Sequence, residues 1–248
     1  MTTHEHILVD VTTRPRKVAL VTGANKGIGR AIARGLAQRG FVVLLGARDA
    51  GRGADAARAL RDEGDVRPLQ LDVTDDASVR SAAEAVRRDV RRLDVLVNNA
   101  GTNAGSHKPS EETADDLRLV YETNVFGVVR VTNAFLPLLR EAPAARIVNV
   151  TSKRGSIGED GAWVGQPSMA YSSSKTALNA LTVHYAREFA GTSIKVNGAA
   201  PGHVATAFNN FRGSRTPEQG AAIALRLAQL DADGPTGAVF DDDGQLAW

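Results

Sequence analysis

Residues 17–36 read KVALVTGANKGIGRAIARGL. A β-branched, apolar run (17–22) leads into a turn carrying Gly23, Gly27 and Gly29. The turn opens a segment with helical apolar spacing. Glycine permits a tight turn and lets main chain approach a ligand closely. The helix that follows aims its free N–H groups and the positive end of its dipole at that ligand, which suits a pyrophosphate. The spacing is G-x-x-x-G-x-G, not the better-known G-x-G-x-x-G.

The same strand-then-helix alternation continues along the chain. Strands are expected at 17–22, 41–47, 66–71, 93–98, 145–151, 194–200 and 238–241. Helices are expected near 27–39, 51–63, 75–91, 111–140, 168–190 and 216–229. Most strands are apolar almost throughout, as strands buried on both faces of a parallel sheet are. The fold class is therefore α/β, a Rossmann-type doubly wound parallel sheet of about seven strands with helices on both faces. Residues 17–248 form one domain and residues 1–16 a loose tail.

Composition narrows the function classes. Of 248 residues, 43% are hydrophobic and 23% charged, which suits a globular core. There is no cysteine, which excludes disulfides, thiolate catalysis and Cys-based zinc sites. No run is long and apolar enough to span a bilayer, and the N-terminus lacks the apolar core of a secretion signal. A cytoplasmic location follows as an expectation. The net charge is only +2. The densest basic cluster, RRDVRR (87–92), lacks interleaved aromatics and reads as a solvated helix end, so no nucleic-acid partner is expected. His4, His6, His184 and His203 show no metal spacing, and no metal is expected. The sequon Asn149-Val150-Thr151 lies in an apolar run and reads as buried strand.

The stretch AYSSSKTALNAL (170–181) places Tyr171 and Lys175 at i and i+4, on one helix face. Three readings compete: a surface accident, an acyl-transfer motif Ser172-x-x-Lys175, and a phenol tuned by a cation. The companion motifs S-D-N and K-T-G are missing, which removes the second. In the third, a phenol with a pKa of about 10 has its ionised form favoured by about 1–3 units beside a cation, making it a better general acid near neutral pH.

TGANKGIG (22–29), LDVLVNNAG (93–101), YSSSK (171–175) and APGHVAT (200–206), in this order, resemble the short-chain dehydrogenase/reductase family. The resemblance extends from about residue 17 to the C-terminus. TGANKGIG, GARDAGRG (46–53) and DGPTGAVFDDDG (233–244) look most like its NADPH-dependent carbonyl reductases. The resemblance implies strand order 3-2-1-4-5-6-7 and a cofactor, NADPH/NADP, across the carboxyl ends of the strands. It implies catalytic roles for Asn124, Ser152, Tyr171 and Lys175: Tyr171 as general acid, Ser152 as hydrogen-bond donor to the substrate oxygen, Asn124 as holder of a water next to Lys175. Thr151 is the neighbouring alternative to Ser152. It implies cofactor contacts for Gly23, Asn25, Lys26, Gly27, Ile28, Gly29, Arg48, Asp72, Val73, Asn99, Ala100, Gly101, Tyr171, Lys175, Pro201, Gly202, Val204 and Thr206.

Arg48 stands at the end of the second strand, where NAD-specific relatives place an acid, and can grip a phosphate with two parallel bonds; the resemblance points Lys26, from the glycine turn, at the same phosphate. Asp49, one residue on, is the rival, since a one-residue shift restores the NAD pattern. Arg52 is a further contact or a solvated helix residue. The activity implied is hydride transfer from NADPH to a ketone or aldehyde. An NAD-dependent secondary-alcohol dehydrogenase and a catalytically silent dinucleotide-binding sensor or scaffold are the alternatives. The partner is a small carbonyl or alcohol substrate. A dimer, a tetramer and a monomer all stay open. Two features depart from compact members: eighteen residues separate Ser152 and Tyr171, and Gly198 occupies a place where bulkier residues are common. The segment 154–168, with four glycines, a proline, Trp163 and Val164, reads as a loop over the substrate, with a Trp pinned on the body or on a neighbouring subunit as the alternative.

Overall fold

In the computed structural model, residues 16–103 and 107–247 are described. Most of the tail at 1–16, with His4 and His6, lies outside them.

The chain alternates as the apolar pattern requires: β1 (Val18–Val21), α1 (Gly27–Ala37), β2 (Val42–Ala47), α2 (Ala50–Ala59), β3 (Val66–Gln70), α3 (Asp76–Asp89) and β4 (Val95–Asn98). The second half continues with α4 (Ala114–Tyr121), α5 (Gly127–Arg140), β5 (Arg146–Val150), α6 (Met169–Glu188), β6 (Lys195–Ala199), α7 (Pro217–Leu227) and β7 (Val239–Phe240). The strands form one parallel sheet of order β3-β2-β1-β4-β5-β6-β7.

Strand periodicity sorts the core into two layers. Ala19, Val21, Val43, Leu45, Val95 and Val97 face α1, α2 and α7. Val18, Leu20, Val42, Leu44, Leu96 and Ile147 face α3, α5 and α6. The inner strands are buried on both faces, with Asn98, Asn149 and Asn197 hydrogen-bonded among them, while the edge strand β3 exposes Arg67 and Gln70. Gly198 is explained by this packing. A Cβ there would lie 3.0 Å from Val239 Cγ2 and 3.3 Å from Thr151 Cγ2, so the glycine lets β7 and β5 close on β6.

One expected element is divided. The helix expected over 111–140 begins at Ala114, behind a capping box formed by Thr113 and Asp116, and widens into a π-helical turn at Glu122–Phe126 before α5. Such turns recur at functional sites, and Asn124 sits in this one.

Two buried charges hold the amino edge of the sheet. Asp94, 3% exposed, accepts from Val18 N at 2.8 Å and pairs with Arg92 at 3.0 Å, locking β1 to β4. Arg146, 4% exposed, donates to four main-chain carbonyls, those of Ala145, Ser193, Leu230 and Asp231, at 2.8–3.0 Å. Among the described residues, no helix is long and apolar enough to cross a membrane.

Asp94→Ala leaves Val18 N–H without its acceptor and removes the carboxylate from Arg92. Urea denaturation should show a loss of about 2–4 kcal/mol. Dinucleotide affinity, read at the opposite end of the sheet, should stay unchanged in the folded fraction.

Candidate active site

The strand order reverses between β1 and β4, and the crevice of an open α/β sheet opens at such a point, beyond the carboxyl ends. The turns after β1 and β4 are clasped together there. Thr22 Oγ1 accepts from Asn99 N and Ala100 N, both at 3.0 Å, while Asn99 Nδ2 donates to Thr22 O at 2.8 Å and to Gly23 O at 3.2 Å. This closeness is what the glycines permit. Gly23 has φ +61°, and a Cβ on it would lie 2.9 Å from Ala100 Cα. On Gly29, a Cβ would lie 2.4 Å from Asn99 Nδ2 and 2.6 Å from Gly23 O. Gly27, at φ +55°, faces Thr206, which brings the loop after β6 to the same cradle. The N-terminus of α1 opens directly onto it, and main chain free of Cβ atoms there fits a pyrophosphate.

Around this cradle Asn25, Gly27 and Ile28 are half-buried and Lys26 is exposed as the N-cap residue of α1. Arg48 is exposed directly after β2. Asp49 is occupied as N-cap of α2, its Oδ1 accepting from Arg52 N at 2.8 Å. Asp72 accepts from Thr74 N and Thr74 Oγ1 within the turn after β3, and Val73 is buried against Gly127. Pro201 and Val204 are buried, Gly202 is exposed at φ +76°, and Thr206 starts a capped 3-10 turn.

Ser152, Tyr171, Lys175 and Asn124 meet beside the carboxyl ends of β4 and β5. Ser152 follows β5 and shares a hydrogen bond with the Tyr171 hydroxyl. Its neighbour Thr151 is 2% exposed and donates to Asn179 Oδ1 at 2.6 Å, turned into the core, so Ser152 is the hydroxyl facing Tyr171. Lys175 Nζ donates to Val150 O at 2.8 Å and lies 5.7 Å from the centre of the Tyr171 ring. Asn124, fully buried, accepts from Thr102 N at 2.8 Å and donates to Thr102 O and Ser174 Oγ, both at 3.0 Å. Ser174 Oγ donates to Tyr171 O at 2.7 Å, so Asn124 steadies the helical turn that bears the phenol. A Cβ on Gly101 would lie 3.4 Å from Asn124 Oδ1 and 3.8 Å from Lys175 Nζ.

The electrostatics differ from the i, i+4 expectation. Burial pushes the Tyr171 phenol above its ordinary value, against the pull of the Ser152 hydrogen bond and of the Arg154 charge. Burial also brings Lys175 down to about 8. Lys175 donates to a carbonyl of β5 while lying 5.7 Å from the centre of the Tyr171 ring, and Arg154 adds a charge that pulls the phenol down. Desolvation outweighs the charge effect that spacing alone suggests.

Two residues escaped the sequence reading. The Glu112 carboxylate accepts from Met169 N and Ala170 N, each at 2.6 Å, and so caps α6 two residues before Tyr171. No local signal marks it, since a bare Glu 57 positions away has no periodic relation to the helix it caps. Arg154 had a signal, an arginine two positions after a strand-end serine. The 154–168 segment lies outside the sheet, carrying two 3-10 turns, at Lys153–Gly155 and Asp160–Ala162. Trp163 and Val164 are 84% and 67% exposed, so the body of the chain does not pin the indole. His184 and His203 are exposed, and no metal-binding cluster occurs among the described residues.

The sequence matches the family described as short chain dehydrogenase over residues 17–216. It is 36% identical to the short-chain dehydrogenase anuI of Penicillium roqueforti, covering 94% of this chain and 96% of that one. It is 34% identical to carbonyl reductase [NADPH] 1 of Bos taurus, covering 93% and 98%. The structure of NADPH-bound carbonyl reductase from chicken fatty liver superposes with a TM-score of 0.83 at 28% identity, covering 95% and 100%. In sequence, strand order and the geometry of its glycine turn, the chain belongs to the short-chain dehydrogenase family of oxidoreductases.

Proposed function

We propose that the chain is an NADPH-dependent carbonyl reductase. The observation that carries this is the hydroxyl pair Ser152–Tyr171 at the carboxyl end of β5, with Lys175 buried one helical turn below the phenol.

The residues present fit the dinucleotide. The Gly23–Gly29 turn and the N-terminus of α1 would hold the pyrophosphate, and Lys175 with Asn99–Gly101 would border the nicotinamide half. Bound NADPH would supply the hydride that reduces the carbonyl carbon. Ser152 Oγ accepts from Arg154 N at 3.2 Å, which leaves its own O–H to donate toward the substrate oxygen or Tyr171. Donors aimed at a developing oxyanion are among the largest catalytic terms. Tyr171, kept protonated by burial, holds the proton that this oxygen receives.

Choice of NADPH rests on Arg48 and Lys26. Both are exposed at the cradle, and Asp49, the residue that would favour NAD, is held as the cap of α2. The bovine and chicken relatives are named for NADPH, which supports the same reading. The alternative of an NAD-dependent alcohol dehydrogenase would use the second carboxylate oxygen of Asp49, which the cap leaves open to solvent.

Three outcomes test this reading. Tyr171→Phe keeps the ring and loses the proton, so carbonyl reduction should fall about 10²–10⁴-fold. NADPH binding, followed by fluorescence titration, should persist, and reduction at a tenth of the wild-type rate would remove Tyr171 as the acid. The ratio of kcat/KM for NADPH over NADH should be on the order of 10²–10³, as two solvent-discounted charged contacts supply. Arg48→Asp should collapse it, and a wild-type preference for NADH would overturn the roles of Arg48 and Lys26. Lys175 is a cation below a pKa of about 8 and loses its proton above it. Reduction should therefore decline as pH rises through about 8, and Lys175→Arg, permanently charged, should lack that limb whatever its absolute rate.

A further inference from the structure

Building on the reductase reading, we infer that Arg154 binds an anionic group of the substrate, and that the substrate class is an oxo acid: an apolar carbonyl compound with a carboxylate close to the reacting carbonyl.

Arg154 lies in the 3-10 turn Lys153–Gly155, directly after Ser152 and Lys153. Its main-chain N–H donates to Ser152 Oγ, so the arginine and the hydroxyl pair share one turn. The guanidinium donates through Nη2 to Gln166 O, which ties it to the far end of the 154–168 loop. Its Nε is buried and has no hydrogen-bond partner. No carboxylate among the described residues pairs with Arg154, whereas the adjacent Lys153 is paired with Asp241. A buried donor without an acceptor is unfavourable, and a guanidinium fork matches a carboxylate in shape and charge. Its charge favours the ionised Tyr171 phenol against burial, in keeping with a guanidinium carried on the turn that bears Ser152. Exposed apolar side chains stand on the same loop and beside the phenol. The Phe208 ring lies 5.5 Å from that of Tyr171 and is 46% exposed, and Trp163 and Val164 stand exposed on the loop. A cation on the turn of the hydroxyl pair, with Phe208 against the phenol and apolar side chains exposed on the loop, matches a substrate that is apolar except for a single acid beside its carbonyl.

The test uses the full chain with NADPH and two matched substrates, benzoylformate and its methyl ester. The ester is intrinsically the more reactive, so the informative quantity is the acid-to-ester ratio of kcat/KM. In Arg154→Gln this ratio should fall about tenfold or more, through KM for the acid, whatever loss of the Arg154 charge from beside the phenol does to both substrates alike. Arg154→Lys, which keeps the charge, should retain most of the ratio. A parallel loss for both substrates in Arg154→Gln would make Arg154 a loop staple only and overturn the inference. An unchanged ratio would do the same. Turnover of the ester reports the reductase reading independently of the acid. If neither compound is reduced by enzyme that binds NADPH, that reading falls and the inference falls with it. A measurement on wild type alone needs no variant to fold. Benzoate titrated calorimetrically into the NADP⁺-saturated protein should bind about tenfold or more tighter than benzamide, and equal affinities overturn the anion site.

Discussion

The clasp between Thr22 and Asn99 is the contact on which the functional end of the molecule depends. β1 and β4 are neighbours in the sheet but are separated in sequence by two complete strand–helix units. Their carboxyl ends would diverge into separate loops without a local tie. The Thr22 hydroxyl, 1% exposed, gathers two N–H groups from the turn after β4, and the Asn99 amide returns two donors to the turn after β1. Four main-chain polar groups are satisfied where the strands end, as buried main chain requires. The glycines are then a consequence: with the two turns this close, nothing larger than hydrogen fits at Gly23 or Gly29.

Downstream of that clasp, the site is assembled by polar groups that hold helices and not by the reacting groups themselves. The remote Glu112 fixes where α6 begins. Asn124, presented by the π-helical turn, reaches Ser174, whose hydroxyl returns to Tyr171 O. The phenol is thus positioned through its own helix. A side chain held this way is oriented through its helix, with Ser152 and the Phe208 ring as its neighbours.

The fold was legible in the sequence because strands buried on both faces are apolar almost throughout, and the turn glycines mark where the first of them ends. Tyr171, Lys175 and Ser152 were legible as a motif. Thr151, the alternative to Ser152, was distinguishable only once its bond to Asn179 was seen, since adjacent strand residues differ only in the face they present. The electrostatics were not legible. An i, i+4 pair predicts a cation acting on a phenol, but the balance is set by burial, which depends on residues far along the chain. The division of the 111–140 helix was missed for a related reason: a π-helical turn preserves apolar character and alters only the phase of the residues beyond it.

Lys175 and Arg146 are buried cations whose acceptors are main-chain carbonyls, of Val150 in one case and of Ala145, Ser193, Leu230 and Asp231 in the other. A carboxylate partner can be lost by a single substitution and neutralised by acid. A carbonyl can suffer neither, because every residue type supplies one and none of them titrates. The orientation of both cations is therefore encoded in strand register and helix ends, not in the identity of any partner side chain. Side-chain changes at positions 145, 150, 193, 230 and 231 that packing tolerates leave these carbonyls in place, so the lysine of the site keeps its acceptor through substitutions that would remove a carboxylate partner.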